Sequence, residues 1–139
     1  MLSVSAFQPD NLTGMKIIIN DRRKISSLQK EFNEVFPFLK LEFFSKSHLP
    51  GEATPKKQLK DPAKSLGDCR TIHNKGVLVI TPQMTVSELE EKFRNIFGLA
   101  VQIFRSSGKV WLETTVTDGW SLEEQNKQGE ELSRSGSIR

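Results

Sequence analysis

Residues 16–36 of this chain align with residues 77–97, 61 positions later, without a gap. Ile17, Ile18, Ile19, Ile25, Leu28, Phe32, Val35 and Phe36 fall on Leu78, Val79, Ile80, Val86, Leu89, Phe93, Ile96 and Phe97, so every apolar position of the first stretch is apolar in the second. The match resumes at an offset of 60, with Leu41, Phe43 and Phe44 on Val101, Ile103 and Phe104. Shared architecture is the direct inference, and an internal repeat by common descent is one way to obtain it.

Each stretch has a local physical meaning. Ile17–Ile19 and Val77–Ile80 are short apolar runs rich in β-branched side chains, the pattern of buried strands. Ile25, Leu28, Phe32, Val35 and Phe36 are spaced to form one stripe of a helix, and residues 86–97 repeat that spacing. Thr85-Val86-Ser87-Glu88 is a capping-box pattern that opens the second helix, and Gly98 can end it with positive φ. Pro37 ends the first helix because it lacks an N–H and disfavours helix at Phe36. Lys40–Phe44 and Ala100–Phe104 then alternate as strands do.

The second unit is expected to continue through a turn at Ser107-Gly108 into an added strand within Val110–Thr117. Asp118-Gly119 marks another turn, and Ser121-Leu122-Glu123-Glu124 opens a polar helix expected to fade by Gly129, before a disordered end at Ser133–Arg139. Strand–helix–strand, a long connection, strand–helix–strand and one added hairpin strand is the order of an α+β, ferredoxin-like sandwich. Residues 1–14 read as an N-terminal extension, 15–120 as a single domain, and 121–139 as the polar helix and tail. A β-grasp domain is the alternative. Thr85-Val86 leading into a helix, Gly108-Lys109, and Asp118-Gly119 with Leu122 and Asn126 resemble a ubiquitin-like module over fewer than 50 residues, leaving the first helix and strands unaccounted for.

A chain of 139 residues fits one core. One cysteine excludes an internal disulfide framework, and the N-terminus lacks the basic start and apolar stretch of a signal peptide, so a cytoplasmic location is expected. No apolar run is long enough to span a bilayer. The net charge of +3 is local: residues 45–75 carry seven basic against three acidic side chains, while the rest is nearly neutral. That segment holds Lys56, Lys57, Lys60, Lys64 and Arg70 among Pro and Gly residues, as a long basic connection does.

Little in the sequence points to catalysis. No glycine-rich phosphate loop occurs, and Arg22, Arg23 and Lys24 before the first helix are the only anion candidates. The second unit has an uncharged Thr81–Thr85 at the same place. Cys69, His73 and His48 are the chain's three Cys and His residues, where a zinc site needs three or four at fixed spacing, so they signal zinc weakly, and no third group orients a Cys/His pair. Glu88, Glu90 and Glu91 are expected on the solvent side of their helix. No catalytic residue, cofactor or metal is therefore expected.

Strand alternation places Ile18, Val79, Phe104 and Trp111 together on the sheet face opposite the helices, with Phe104 directly across from Trp111. A patch of that kind needs a cover, supplied by the chain itself or by a partner. The expected function is a small non-enzymatic interaction module that binds a protein partner or itself as a homodimer. The alternative is a nucleic-acid-associated protein using residues 45–75 and the Phe104/Trp111 face, although the glycine-aromatic signature of an RNA-recognition motif is absent.

Overall fold

A computed structural model describes residues 14–45 and 59–138. The expected 1–14 extension, except Gly14, lies outside these residues, as do His48, Lys56 and Lys57. The chain runs β1 (Met15–Ile19), α1 (Ile25–Val35), β2 (Leu39–Phe44), a 3-10 turn (Leu66–Cys69), β3 (Gly76–Ile80), α2 (Val86–Phe97), β4 (Ala100–Ser107), β5 (Val110–Glu113) and α3 (Leu122–Ile138).

The α+β class holds. Instead of one continuous sheet, the described strands form two small antiparallel sheets, β1–β3 and β2–β4–β5. The pairing registers link the two units. Ile17 pairs with Leu78, its counterpart at offset 61, and Glu42 pairs with Gln102, its counterpart at offset 60. Antiparallel pairing about a position and its own counterpart is self-complementary, as across a two-fold axis. The β1–β3 and β2–β4 ladders therefore each join one unit to the other.

The core lies between the sheets and the helix stripes. Ile17, Ile19, Leu78 and Ile80 point inward from β1–β3, and Leu39, Leu41, Phe43, Val101 and Ile103 from β2–β4. Leu28 and Phe32 of α1 join them with Leu89 and Phe93 of α2. Phe43 meets Phe93 edge to ring at 5.9 Å, an arrangement favoured by the ring quadrupoles.

Local chemistry sets the helix limits. Thr85 and Glu88 form the full capping box, and Gly98 closes α2 at φ 63. At the start of α1, Asn20 Oδ1 accepts the N–H groups of Arg22 and Arg23 in the turn before the helix. Residue Lys24 then occupies the cap without a side-chain bond. Instead, returning chain satisfies the first N–H groups of both helices. Ile25 and Ser26 donate to the Lys64 and Pro62 carbonyls, while Val86 and Ser87 donate to those of Trp120 and Asp118. In the opposite direction, Leu66 and Gly67 donate to Arg23 and Asp21, as Leu122 and Glu123 donate to Met84 and Pro82.

Three expectations change. The hairpin turn is Gly108-Lys109, with Ser107 opposite Val110, so Phe104 faces Glu113 and Trp111 faces Ser106. Glu90 is buried, and its carboxylate accepts the Ile103 N–H at 3.3 Å. α3 passes Gly129 and runs to Ile138, because a residue without Cβ lets the helix lie against Phe38 and Arg105, where an added Cβ would meet Phe38 Cβ at 2.9 Å.

Candidate functional site

The four residues expected on one outer face divide between the two sheets. Ile18 and Val79 project outward from β1–β3 together with Val77, the direct partner of Ile18, and all three are exposed. Phe104 and Trp111 share the outer face of β2–β4–β5. Their register differs by one pair from direct opposition, which keeps both on the same side. Lys40, opposite Phe104, brings them into one cluster: its Nζ lies 5.7 Å from the Phe104 ring and 5.1 Å from the Trp111 ring. Cation–π attraction holds it there, and its ammonium also contacts Glu42 Oε2 at 3.2 Å.

Gln29 of α1 extends this cluster to the helix. Its Nε2 donates to the Leu41 carbonyl at 2.8 Å and to Glu42 Oε1 at 3.0 Å. A shallow groove of about 370 Å3 follows, lined by Gln29, Lys40, Glu42, Pro62 and Trp111. Asn33 bonds the Leu39 carbonyl on the same strand edge at 2.8 Å. Side chains thus cover the Leu39 and Leu41 carbonyls along β2, and the Lys60 N–H covers that of Phe43 at 2.7 Å.

β5 is different. Its four residues are all exposed, with Val110 at 55%, Trp111 at 38% and Leu112 at 42%. It pairs with β4 on one side, and no other described strand pairs with it. The Thr114 N–H points to the Ile103 carbonyl of β4 at 3.3 Å. Backbone groups alternate sides along a strand, so those of Trp111 and Glu113 point away from β4, toward the open edge.

The basic connection does not form a free cationic stripe. Lys60 is half-buried and Lys64 exposed, but the Arg70 side chain is buried and engaged. Its guanidinium binds Asp21 Oδ1 at 2.8 and 3.1 Å, and donates to the Asn74 and Phe97 carbonyls at 2.8 and 3.0 Å. Arg70 therefore closes the C-terminal end of α2 and ties it to the turn before α1. His73 Nδ1 lies 2.8 Å from Asp21 Oδ2. The His73 hydrogen bond, followed by those from Arg70, holds the Asp21 carboxyl below its usual range.

Of the anion candidates, Arg23 is paired with Glu31 and donates to the Ile18 carbonyl, while Arg22 and Lys24 are exposed. Cys69 is packed against the core, with its Sγ donating to the Ser65 carbonyl at 3.3 Å. Burial pushes its thiol pKa up, opposite to the shift that activates a nucleophile. No group of three or more His, Cys, Asp or Glu side chains able to hold a metal occurs among the described residues. Nor is any helix of the described residues long and apolar enough to cross a membrane.

Sequence reasoning missed Arg70 and Glu90 as organising residues. Arg70 reads in the sequence as one of the cations of the basic connection, with nothing to set it apart. The counterpart of Glu90 at offset 61 is Gln29, also a polar side chain that bonds a neighbouring strand, and this shared feature was the available signal. Comparison of the chain with protein-family models, curated proteins and solved structures finds no match.

Proposed function

We propose that the chain is a small non-enzymatic interaction module that binds a protein partner, or a second copy of itself, through the free edge and outer face of the β2–β4–β5 sheet. The observation that carries this is β5: a short edge strand with Val110, Trp111 and Leu112 exposed and its outward backbone groups unpaired by any described strand. Edge strands that are not meant to pair are blunted by charge, proline or a bulge. Here the middle of the strand is apolar on both faces, and Trp111 stands at its centre beside Phe104 and Lys40. Strand addition at such an edge draws affinity from main-chain hydrogen bonds and specificity from alternate side chains.

The nucleic-acid alternative has less support. Arg70 is buried against Asp21 and the end of α2, and Lys40 already sits over the rings on which bases would stack. Binding to DNA or RNA at low salt that weakens as salt rises would favour it.

For the finer architecture, the order β3–α2–β4–β5 with a return to the start of α2 supports the ubiquitin-like alternative. The Ser87 bond to Asp118 and the Leu122 bond to Met84 are what make that return. A ferredoxin-like arrangement would need all four strands of the two units in one sheet.

Trp111→Ala tests the functional proposal. A residue kept for binding leaves the unfolding free energy of the monomer within about 0.5 kcal/mol while association weakens. A loss of about 3 kcal/mol or more would make Trp111 a packing residue and overturn the proposal.

A further inference from the structure

From the geometry of β5 we infer that its occupant is the β5 strand of a second copy, paired antiparallel about Trp111. This rests on the interaction-module proposal and deepens it by naming both partner and register. Residues 109–113 read Lys-Val-Trp-Leu-Glu, a sequence complementary to its own reverse in charge and in hydropathy. With Trp111 opposite Trp111 of the partner subunit, Lys109 stands across from Glu113 of the partner subunit, and Val110 across from Leu112 of the partner subunit. The two-fold axis repeats both contacts. Each opposed pair is of the kind that stabilises a sheet: two ion pairs at the ends, two aliphatic pairs, and an aromatic pair at the centre.

The backbone agrees with this register. Trp111 and Glu113 are the strand residues whose N–H and C=O groups point to the open edge, as set by the Thr114 bond to Ile103. In the proposed register Trp111 opposes Trp111 of the partner subunit, so their donors and acceptors meet, and Glu113 meets the turn residue Lys109 of the partner subunit through its side chain. A register shifted by one residue would set edge-facing groups against groups already bonded to β4, and would separate Lys109 from Glu113 of the partner subunit. The resulting sheet runs β2–β4–β5 and on through β5–β4–β2 of the second copy. Within one chain, the Ile17–Leu78 and Glu42–Gln102 pairings already use the same self-complementary antiparallel geometry.

A pair of four-residue strands covers much less than the ~1,600 Å2 of a standard interface, so the dimer dissociates on dilution. The test is analytical ultracentrifugation of the full chain over a concentration series from about 10 μM to 1 mM, a range suited to a small interface. Lys109→Glu and Glu113→Lys each place like charges opposite one another at both ends, and each is expected to weaken self-association about tenfold. Both side chains are exposed, and circular dichroism with thermal unfolding checks that the variants fold as wild type.

Lys109→Glu/Glu113→Lys restores both ion pairs and is expected to self-associate as wild type does. Mixing the two single variants is expected to give the heterodimer. Wild type that remains monomeric throughout overturns the self-pairing, as do single variants that associate like wild type or a folded double variant that fails to recover. None of these results decides whether Trp111 is a packing residue, so failure of this register and failure of the interaction-module proposal are distinguishable.

Discussion

In the first half of the molecule, residues 59–69 return to the start of α1 through a bridge at Phe44–Leu59 and a 3-10 turn. In the second, residues 110–121 return to the start of α2 through strand β5 and a turn, and the chain then continues as α3. Four hydrogen bonds at corresponding positions anchor both returns, and Ser65 and Ser121 each accept an N–H three residues ahead. What differs is how the remainder is used. The first half follows its return with Arg70 and His73, which clamp Asp21. In the second, β5 is left open at its edge and a helix is added over β4. Similar backbone solutions thus support a closed half and an open half.

The largest effect should come from testing whether the shared stripe has equal weight in both halves. Phe32 and Phe93 are fully buried counterparts, so Phe32→Ala and Phe93→Ala should each cost about 3–5 kcal/mol in chemical denaturation. A difference of more than about 2 kcal/mol between them would show that one half dominates the core, because a cavity that collapses well costs less.

An intermediate effect separates the two strand-capping side chains. Glu90→Ala removes the acceptor for the Ile103 N–H inside the protein, and should cost about 1–3 kcal/mol. Gln29→Ala exposes the Leu41 carbonyl where water can reach it, and should cost about 0.5–1.5 kcal/mol. Denaturation midpoints of both variants would show whether the order is as stated. The reverse order would place the more important contact in the first half.

The smallest effect concerns the clamp. Asp21 has a carboxyl pKa lowered in the folded state, so its contribution is present above the unfolded-state value and is lost as pH falls through the folded one. Thermal unfolding from pH 6 to pH 2 should therefore show a steeper acid loss for wild type than for Asp21→Asn. Parallel profiles would mean that the clamp adds nothing through its charge. Glu88, whose pKa is lowered chiefly by its hydrogen bond to the Thr85 backbone, contributes with the same sign and is common to both proteins.

Helix stripes, the capping box, Pro37 and Gly98 were legible in the sequence because each is a local signal. Strand partners were not, since alternation says which residues share a face but not which strand lies beside which. The paired returns were hidden for another reason. Ser65-Leu66 and Ser121-Leu122 correspond at an offset of 56, and a comparison made without gaps at 61 passes over them. At the candidate site, the exposure of Ile18, Val79 and Trp111 could be anticipated from alternation, but the hairpin register and the separation of two sheets could not. The Gly108-Lys109 turn moves the hairpin by one pair, enough to take Trp111 from Phe104 to Ser106.

Because β1 pairs with β3 and β2 with β4, the strands of the first half have no ladder between them, and the second half holds only the β4–β5 hairpin, until the two meet. The ladders join residues about 60 positions apart, which makes for high contact order, and folding should be slow for a chain this small. It also makes the polypeptide link between the halves dispensable in principle. Two fragments divided between Phe44 and Leu59 would each lack one strand of both ladders, and should complement each other as a non-covalent pair.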